Sequence, residues 1–201
     1  MGNKPAIIIR SRKPRPLSNQ LNEDMGVFRT FGEHTPIRNQ ALISLSLATG
    51  GRVSEVCKVR WQDINFDEGI LDIVAGKGNN SRQVAIVDGT GAINDLILWS
   101  SYMPDTRVYV FCPVRRGDKL GEDKAMTPSA AQKMIKATST VCGISFTHHT
   151  FRRTHVTEHL RNGAALGDIQ AQTGHKRAHT LLEHYFIFAD ASKRRKTLKN
   201  R

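Results

Sequence analysis

The sequence is poor in cysteine, and the three cysteines it has are widely separated. Cys57, Cys112 and Cys142 are odd in number and form no Cys-x-x-Cys pair. Domains that depend on disulfides carry dense, even sets of cysteines, and thiolate zinc knuckles need closely spaced pairs. We therefore expect neither a disulfide framework nor a thiolate zinc site, and the cysteine usage fits a reducing cytoplasm.

Long hydrophobic runs are missing as well. The longest apolar stretch, around 41–48, is interrupted by serines and is far shorter than the roughly 20 residues that span a bilayer. The apolar segment at 5–9 is too short for the core of a signal peptide. We expect neither a membrane span nor a secretory signal, and we see no internal repeat.

Acidic residues are absent from both ends of the chain. The formal charge is +12, and residues 1–16 carry five of the cations while residues 193–201 carry six. Without these ends the remaining chain has a formal charge of about +1. Basic tails are commonly solvated segments, and the alternative is that they contact a phosphate backbone. Tail charge alone therefore favours a nucleic acid partner only weakly.

Hydrophobic periodicity predicts a mainly α fold with a small antiparallel β-sheet. Apolar residues in 64–74 and 84–87 flank the turn-forming sequence Gly76-Lys77-Gly78-Asn79-Asn80, so a hairpin with Lys77 near its tip is expected. An extended segment is predicted at 107–112, followed by a polar loop. Helices are predicted at 17–31, from Thr35-Pro36 to Gly50, 53–59, 93–102, from Thr127, 149–162, 166–173, and from Arg177 onwards.

Arg52 lies where an anion could be bound. It follows the helix-ending Thr49-Gly50-Gly51 and precedes a short helix, whose first backbone N–H groups favour negative charge. Glu55, three residues later, could hold the guanidinium. Taken alone, Arg52 is equally well explained as an exposed arginine with a casual ion pair, and Lys77 as a solvated lysine on a turn.

Two histidines, a second arginine and a tyrosine complete the set of candidates. His149 and Arg152 are three residues apart in a predicted helix and can address the same anion, whereas His148 is out of that phase. His175 follows the turn Thr173-Gly174, where it could also serve only to cap a helix. Tyr185, beside Phe186, could be an ordinary packed tyrosine. Each candidate is weak evidence by itself.

The ordered set resembles the catalytic domain of the tyrosine recombinase, or phage integrase, family. The resemblance is carried by Thr-Gly-Gly-Arg52-Val-Ser-Glu55, Gly-Lys77-Gly, His149-Thr-Phe-Arg152, Thr-Gly-His175 and Tyr185, in this order along the chain. Trp61-Gln62-Asp63-Ile64 is similar to the lead into the sheet in this family. The resemblance covers roughly residues 17–190. We expect a basic arm at 1–16, a catalytic domain at 17–190 and a basic tail at 191–201.

The resemblance implies a role for each of these side chains. Arg52 and Arg152 would clamp the scissile phosphate, Lys77 would protonate the leaving 5′-oxygen, and His149 and His175 would assist. Tyr185 would attack phosphorus and form a 3′-phosphotyrosine, with no metal or other cofactor. The implied partners are duplex DNA with specific sites, further copies of the chain in a tetramer, and an accessory DNA-bending protein. Integration, excision and inversion remain open.

Two features depart from the family pattern. The spacing from His175 to Tyr185 is one residue longer than is usual in this family, which affects the register of the tyrosine. Few residues precede the first predicted active-site helix, so we expect no separate amino-terminal domain. This layout is similar to that of the short recombinases that invert fimbrial promoter segments, and a truncated integrase remnant is the alternative.

Three other functions are compatible with parts of the sequence. A type IB topoisomerase would share the tyrosine and the arginines but relax supercoils as a monomer. A non-catalytic DNA-binding or accessory protein would use the basic ends while Tyr185 is packed. A metal site could use histidines at helical spacing, around 148–159 or 175–184, but no clear carboxylate ligand accompanies them.

Overall fold

The protein is described by a computed structural model that covers residues 34–74, 81–87, 89–115, 119–177, 179 and 181. Within these ranges the fold is mainly α with small antiparallel sheets, which confirms the predicted fold class. The helices are α1 (His34–Thr49), α2 (Val53–Val56), α3 (Ala92–Ser100), α4 (Pro128–Val141), α5 (His148–Arg161) and α6 (Leu166–Thr173). The strands are β1 (Ile64–Asn65), β2 (Ile70–Ile73), β3 (Arg82–Ala85), β4 (Val114–Arg115) and β5 (Lys119–Leu120).

Helix α1 runs through the centre of the core. Ala41, Leu42, Leu45 and Ala48 recur at helical spacing and are fully buried where α1 packs against α3 and α5. The helix begins at His34, one residue before the predicted Thr35-Pro36 start. It ends as predicted, because Gly50 has φ +60°. The chain is thereby redirected just before Arg52.

A three-stranded antiparallel sheet in the order β1-β2-β3 lies beside this core. Leu71, Ile73 and Val84 point their side chains into the interior. The antiparallel pairing of β2 with β3 agrees with the predicted hairpin, and its last pair of the register is Ile73 with Arg82. Residues 75–80, which include Lys77, lie outside the described residues.

The segment after α3 differs from the prediction. The predicted extended run 107–112 forms only one bridge, between Arg60 and Tyr109. One reason is that the Val110 carbonyl accepts a hydrogen bond from the Trp99 indole at 2.7 Å and is not available for a strand ladder. The following polar loop contains a short hairpin that the sequence analysis missed, in which β4 pairs with β5.

Helices α5 and α6 carry the carboxy-terminal part of the described chain. Helix α6 has the predicted bounds, and α5 begins and ends one residue before its predicted limits. Val156, Ile169 and Leu181 form a small second cluster between them. The predicted helix at 17–31, Tyr185 and both basic ends lie outside the described residues.

Candidate active site

Arg52 is held in the turn between α1 and α2 by one carboxylate. Its backbone N–H donates to Glu55 Oε2 at 2.7 Å, and its Nη1 donates to Glu55 Oε1 at 2.8 Å. Its Nη2 donates to the Gly174 carbonyl at 2.8 Å. The predicted pairing of Arg52 with Glu55 is therefore present. The Arg52 side chain remains 45% exposed, so solvent or a ligand can still reach it.

Arg152 approaches the same turn from the interior. It lies on α5 with 8% of its surface exposed, and its Nη1 donates to the Gly50 carbonyl at 2.7 Å. Its Nη2 lies 3.1–3.2 Å from the ring nitrogens of His175. Burial and then repulsion from Arg52 lower the pKa of Arg152 to about 10. The guanidinium therefore keeps its charge at neutral pH.

His175 is oriented by the end of α6. Gly174 has φ +65° and ends the helix, which places the ring beside Arg152. The Thr173 hydroxyl donates to the Ile169 carbonyl at 2.6 Å, so its oxygen accepts from His175 Nδ1, also at 2.6 Å. This pairing favours the tautomer with the proton on Nδ1, in which Nε2 can accept from Arg152. The sequence predicted a histidine in a turn, and the structure places its ring between Thr173 and Arg152.

The two histidines at the start of α5 differ in environment. The His149 side chain is exposed. His148 is buried, and its pKa is lowered to about 4 by burial, then by the nearby His149 and Arg152. The role of His149 therefore stays a prediction, whereas Arg52, Arg152 and His175 are brought together.

Two predicted site residues cannot be placed. Lys77 and Tyr185 lie outside the described residues, and their roles also stay predictions. Ile73 and Arg82, which precede and follow the Lys77 segment in the sequence, form a register pair of β2 and β3.

Arg82 on β3 is a further arginine of this site, and no sequence pattern predicted it. It donates from Nη1 and Nη2 to the two oxygens of Glu55, at 3.1 and 3.0 Å. Burial alone would raise the pKa of Glu55, but hydrogen bonds from Arg82 and Arg52 outweigh it and lower that pKa to about 2. Arg52 and Arg82 thus share one ionised carboxylate, and Arg152 adds a third positive charge at the same turn. This leaves an excess of positive charge that a bound anion would balance.

Other kinds of site find little support in the described ranges. There, no three histidine, cysteine or acidic side chains are grouped as metal ligands would be. None of the helices in the same ranges is long and apolar enough to cross a bilayer.

Comparison with known proteins identifies the family. The sequence model of the phage integrase family matches residues 17–191, which is most of the chain. The chain belongs to this family.

Several tyrosine recombinases of the phage integrase family are similar to the chain. Tyrosine recombinase XerA from Pyrococcus furiosus is 29% identical over 177 residues, which cover 86% of this chain and 59% of that protein. Tyrosine recombinase XerC from Anoxybacillus flavithermus is 32% identical over 144 residues, 69% of this chain and 46% of that protein. The chain thus spans about half the length of these relatives.

A solved structure shows the same fold. The crystal structure of XerA recombinase superposes with a TM-score of 0.74 at 23% identity, covering 100% of this chain and 66% of that one. The predicted resemblance to the catalytic domain of a tyrosine recombinase is therefore confirmed at the level of family and fold.

Proposed function

We propose that the chain is the catalytic domain of a site-specific DNA recombinase that cleaves and rejoins duplex DNA through a 3′-phosphotyrosine on Tyr185. Membership of the phage integrase family and the similarity to tyrosine recombinases support this activity. We further propose that residues 17–190 form the catalytic unit, between the two basic ends.

One observation carries the proposal. Arg52 lies in the turn before α2 and Arg152 lies on α5, 100 positions later in the sequence. Their guanidiniums nevertheless donate to consecutive residues, to the Gly174 carbonyl and to the His175 ring. The pKa of Arg152 is lowered first by burial and then by the repulsion between these two like charges. An anion at this turn would relieve it. A phosphodiester is such an anion, and planar guanidiniums match the geometry of its oxygens.

The chemistry follows from placing the scissile phosphate at this turn. The Tyr185 oxygen attacks phosphorus and forms the new P–O bond while the P–O5′ bond breaks. His149 accepts the phenol proton and Lys77 gives a proton to the leaving 5′-oxygen. The pentavalent transition state carries more negative charge than the phosphodiester, so fixed cationic donors stabilise it selectively.

Reversal of this step completes recombination. The 3′-phosphotyrosine keeps the energy of the phosphodiester, and a 5′-hydroxyl from another strand can attack it without ATP or a metal. Exchange between two sites requires several catalytic domains, so we propose a tetramer on DNA, in the cytoplasm, with an accessory DNA-bending protein as a further partner. XerH recombinase, solved with its palindromic difH substrate after cleavage, has the same fold with a TM-score of 0.72.

Covalent trapping tests the proposal. Duplex fragments from the DNA that flanks the gene are nicked near candidate inverted repeats. The short fragment that carries the new 5′-hydroxyl then diffuses away, and religation fails. Wild-type protein should yield a denaturation-resistant protein–DNA band, and Tyr185→Phe should bind the same DNA without forming it. Specific DNA binding without any adduct would instead support the non-catalytic alternative. Relaxation of a plasmid that lacks such sites would support the topoisomerase alternative.

A further inference from the structure

Arg82 occupies the space between the two halves of the candidate site. It is the first residue of β3, and its side chain is only 12% exposed. Besides its two bonds to Glu55, its Nε donates to the Gln172 carbonyl at 3.1 Å and its Nη2 to the Thr173 carbonyl at 3.3 Å. These four hydrogen bonds engage the planar fork on both sides. Arg82 is thus committed to protein partners and is not placed to bind a phosphate.

The partners of Arg82 are the groups that orient the site residues. Glu55 holds the backbone and side chain of Arg52. The carbonyls of Gln172 and Thr173 end α6 immediately before Gly174 and His175. The last carbonyls of a helix have no partner within the helix and favour a cation. One guanidinium therefore ties the counter-ion of Arg52 to the turn that presents His175.

The packing at Gly174 makes this link tight. A Cβ atom at residue 174 would lie 2.9 Å from the Arg82 guanidinium, and the backbone there has φ +65°. The guanidinium thus packs directly on the peptide whose carbonyl accepts the hydrogen bond from Arg52 Nη2. A shift of Arg82 would change the position of that acceptor as well as the position of Glu55.

A second contact fixes the same strand to the same helix. The Gln172 side chain accepts from the Ala85 backbone N–H at 3.0 Å and donates to the Ala85 carbonyl at 2.6 Å. It thereby satisfies a backbone donor and acceptor on the free edge of β3. Arg82 and Gln172 hold both ends of β3 against the end of α6. The loop predicted to carry Lys77 leads into β3 at the Arg82 end.

We propose that Arg82 is a positioning residue for the recombination reaction. It fixes, through one guanidinium, the carboxylate that orients Arg52, the turn that presents His175 and the strand that follows the Lys77 loop. Arg82 acts through these groups and does not touch the DNA. This inference rests on the proposed function, because its effect is read as a rate of DNA cleavage.

The test separates DNA cleavage from DNA binding. Single-turnover cleavage of the nicked DNA is followed at saturating protein. The Kd for the same DNA is measured with proteins that also carry Tyr185→Phe, so that no cleavage occurs during binding. Arg82→Gln should slow cleavage by about tenfold or more, while the Kd changes by less than about threefold. Arg82→Lys should recover only part of the rate, because an ammonium cannot bond Glu55 and the two carbonyls as a fork.

Arg60 offers a matched control. It is also paired through a fork to a carboxylate, that of Asp63, and within the described residues its side-chain hydrogen bonds go to Asp63 and to none of the site residues. Arg60→Gln removes a comparable ion pair, and it should leave the cleavage rate within about twofold of wild type. Thermal unfolding of each variant verifies that the assay temperature lies below its Tm.

A double substitution distinguishes positioning from general stabilisation. If Arg82 acts through Glu55, then Arg82→Gln should slow the Glu55→Gln variant by much less than the about tenfold seen in the wild-type background. Equal slowing in both backgrounds, a fully active Arg82→Lys variant, or equal losses for Arg60→Gln and Arg82→Gln would each overturn the inference. Absence of any covalent adduct with wild-type protein would instead refute the proposed function.

Discussion

Arg52 and Arg152 reach the same turn by two different physical routes. Arg152 is buried on α5 and is fixed by neutral groups, the Gly50 carbonyl and the His175 ring. Arg52 is half exposed and is fixed by an ionised carboxylate that it shares with Arg82. The first is part of the core, whereas the second is part of a charge network at the surface. One fold thus holds two arginines at the same turn, at a different cost to its stability.

The largest expected effects are on DNA cleavage, and their accompanying effects on stability distinguish Arg152 from Arg52. Arg152→Ala and Arg52→Ala should each slow DNA cleavage about a thousandfold, since each removes a fixed donor from the transition state. Only Arg152→Ala should also lower the free energy of unfolding, by about 2 kcal/mol, because it leaves buried acceptors unpaired. Single-turnover cleavage and urea unfolding of both variants measure this. Normal cleavage by Arg152→Ala would show that the assigned clamp is wrong.

A substitution at Gly50, whose carbonyl accepts from Arg152, should disturb the buried surroundings of Arg152 more than those of Arg52. Gly50 has φ +60°, and a Cβ atom there would lie 2.7 Å from the His155 ring. Gly50→Ala should therefore lower the free energy of unfolding by about 3 kcal/mol through backbone strain and the clash. Gly163→Ala is a matched control, because it has φ +85° and nothing near its Cβ. Equal destabilisation by both would mean that the contact with His155 contributes nothing.

Acid should weaken the buried region before it affects the charge network. Burial, followed by neighbouring cationic or histidine side chains, lowers the pKa of His148 and of His155 from 6.5 to about 4. Between these values the unfolded chain binds protons that the folded chain does not, so stability falls as the pH decreases through this window. From pH 7.5 to 5.5 we expect a loss of about 1 kcal/mol for each histidine.

Urea unfolding at these two pH values measures the loss, and adjacent residues provide the control. His148→Gln should reduce the pH dependence, whereas His149→Gln, at an exposed position, should largely keep it. The low pKa of Glu55, about 2, acts in a separate window, since its contribution is lost only as the pH falls below 4.5. A pH dependence unchanged by His148→Gln would contradict the assignment.

The smallest expected effect concerns Glu55, the counter-ion of the half-exposed Arg52. Glu55→Gln keeps the shape of the side chain but removes the charge that holds Arg52 and Arg82. Cleavage should slow by about tenfold, because Arg52 is still present but less well oriented. The Kd for DNA should change little, which a binding titration checks. A rate equal to that of wild type would show that Arg52 needs no counter-ion.

Sequence reasoning succeeded where the determining interactions are local. Gly50 and Gly174 end their helices at the predicted positions, and Glu55 reaches Arg52 three residues earlier. Such features depend on φ angles and on helical spacing, which a few neighbouring residues determine. The order of motifs then indicated the family, which the match over 17–191 confirms.

The missed features depend on contacts between distant segments. Arg82 meets Gln172 across 90 positions of sequence, and nothing in Ser81-Arg82-Gln83 distinguishes it from a surface arginine. The run at 107–112 does not continue as a strand, and one of its carbonyls, that of Val110, accepts a hydrogen bond from the Trp99 indole instead. Periodicity cannot predict which of several acceptors a side chain will reach.

The central claim is that Arg52 and Arg152 balance the charge of one scissile phosphate. Once the cleavage position is mapped, that phosphate can be replaced by an uncharged methylphosphonate, and cleavage by wild-type and Arg152→Ala protein compared on both substrates. The claim predicts that the about thousandfold defect of Arg152→Ala on the natural phosphate shrinks to about tenfold or less on the neutral one. A defect of the same size on both substrates would contradict it.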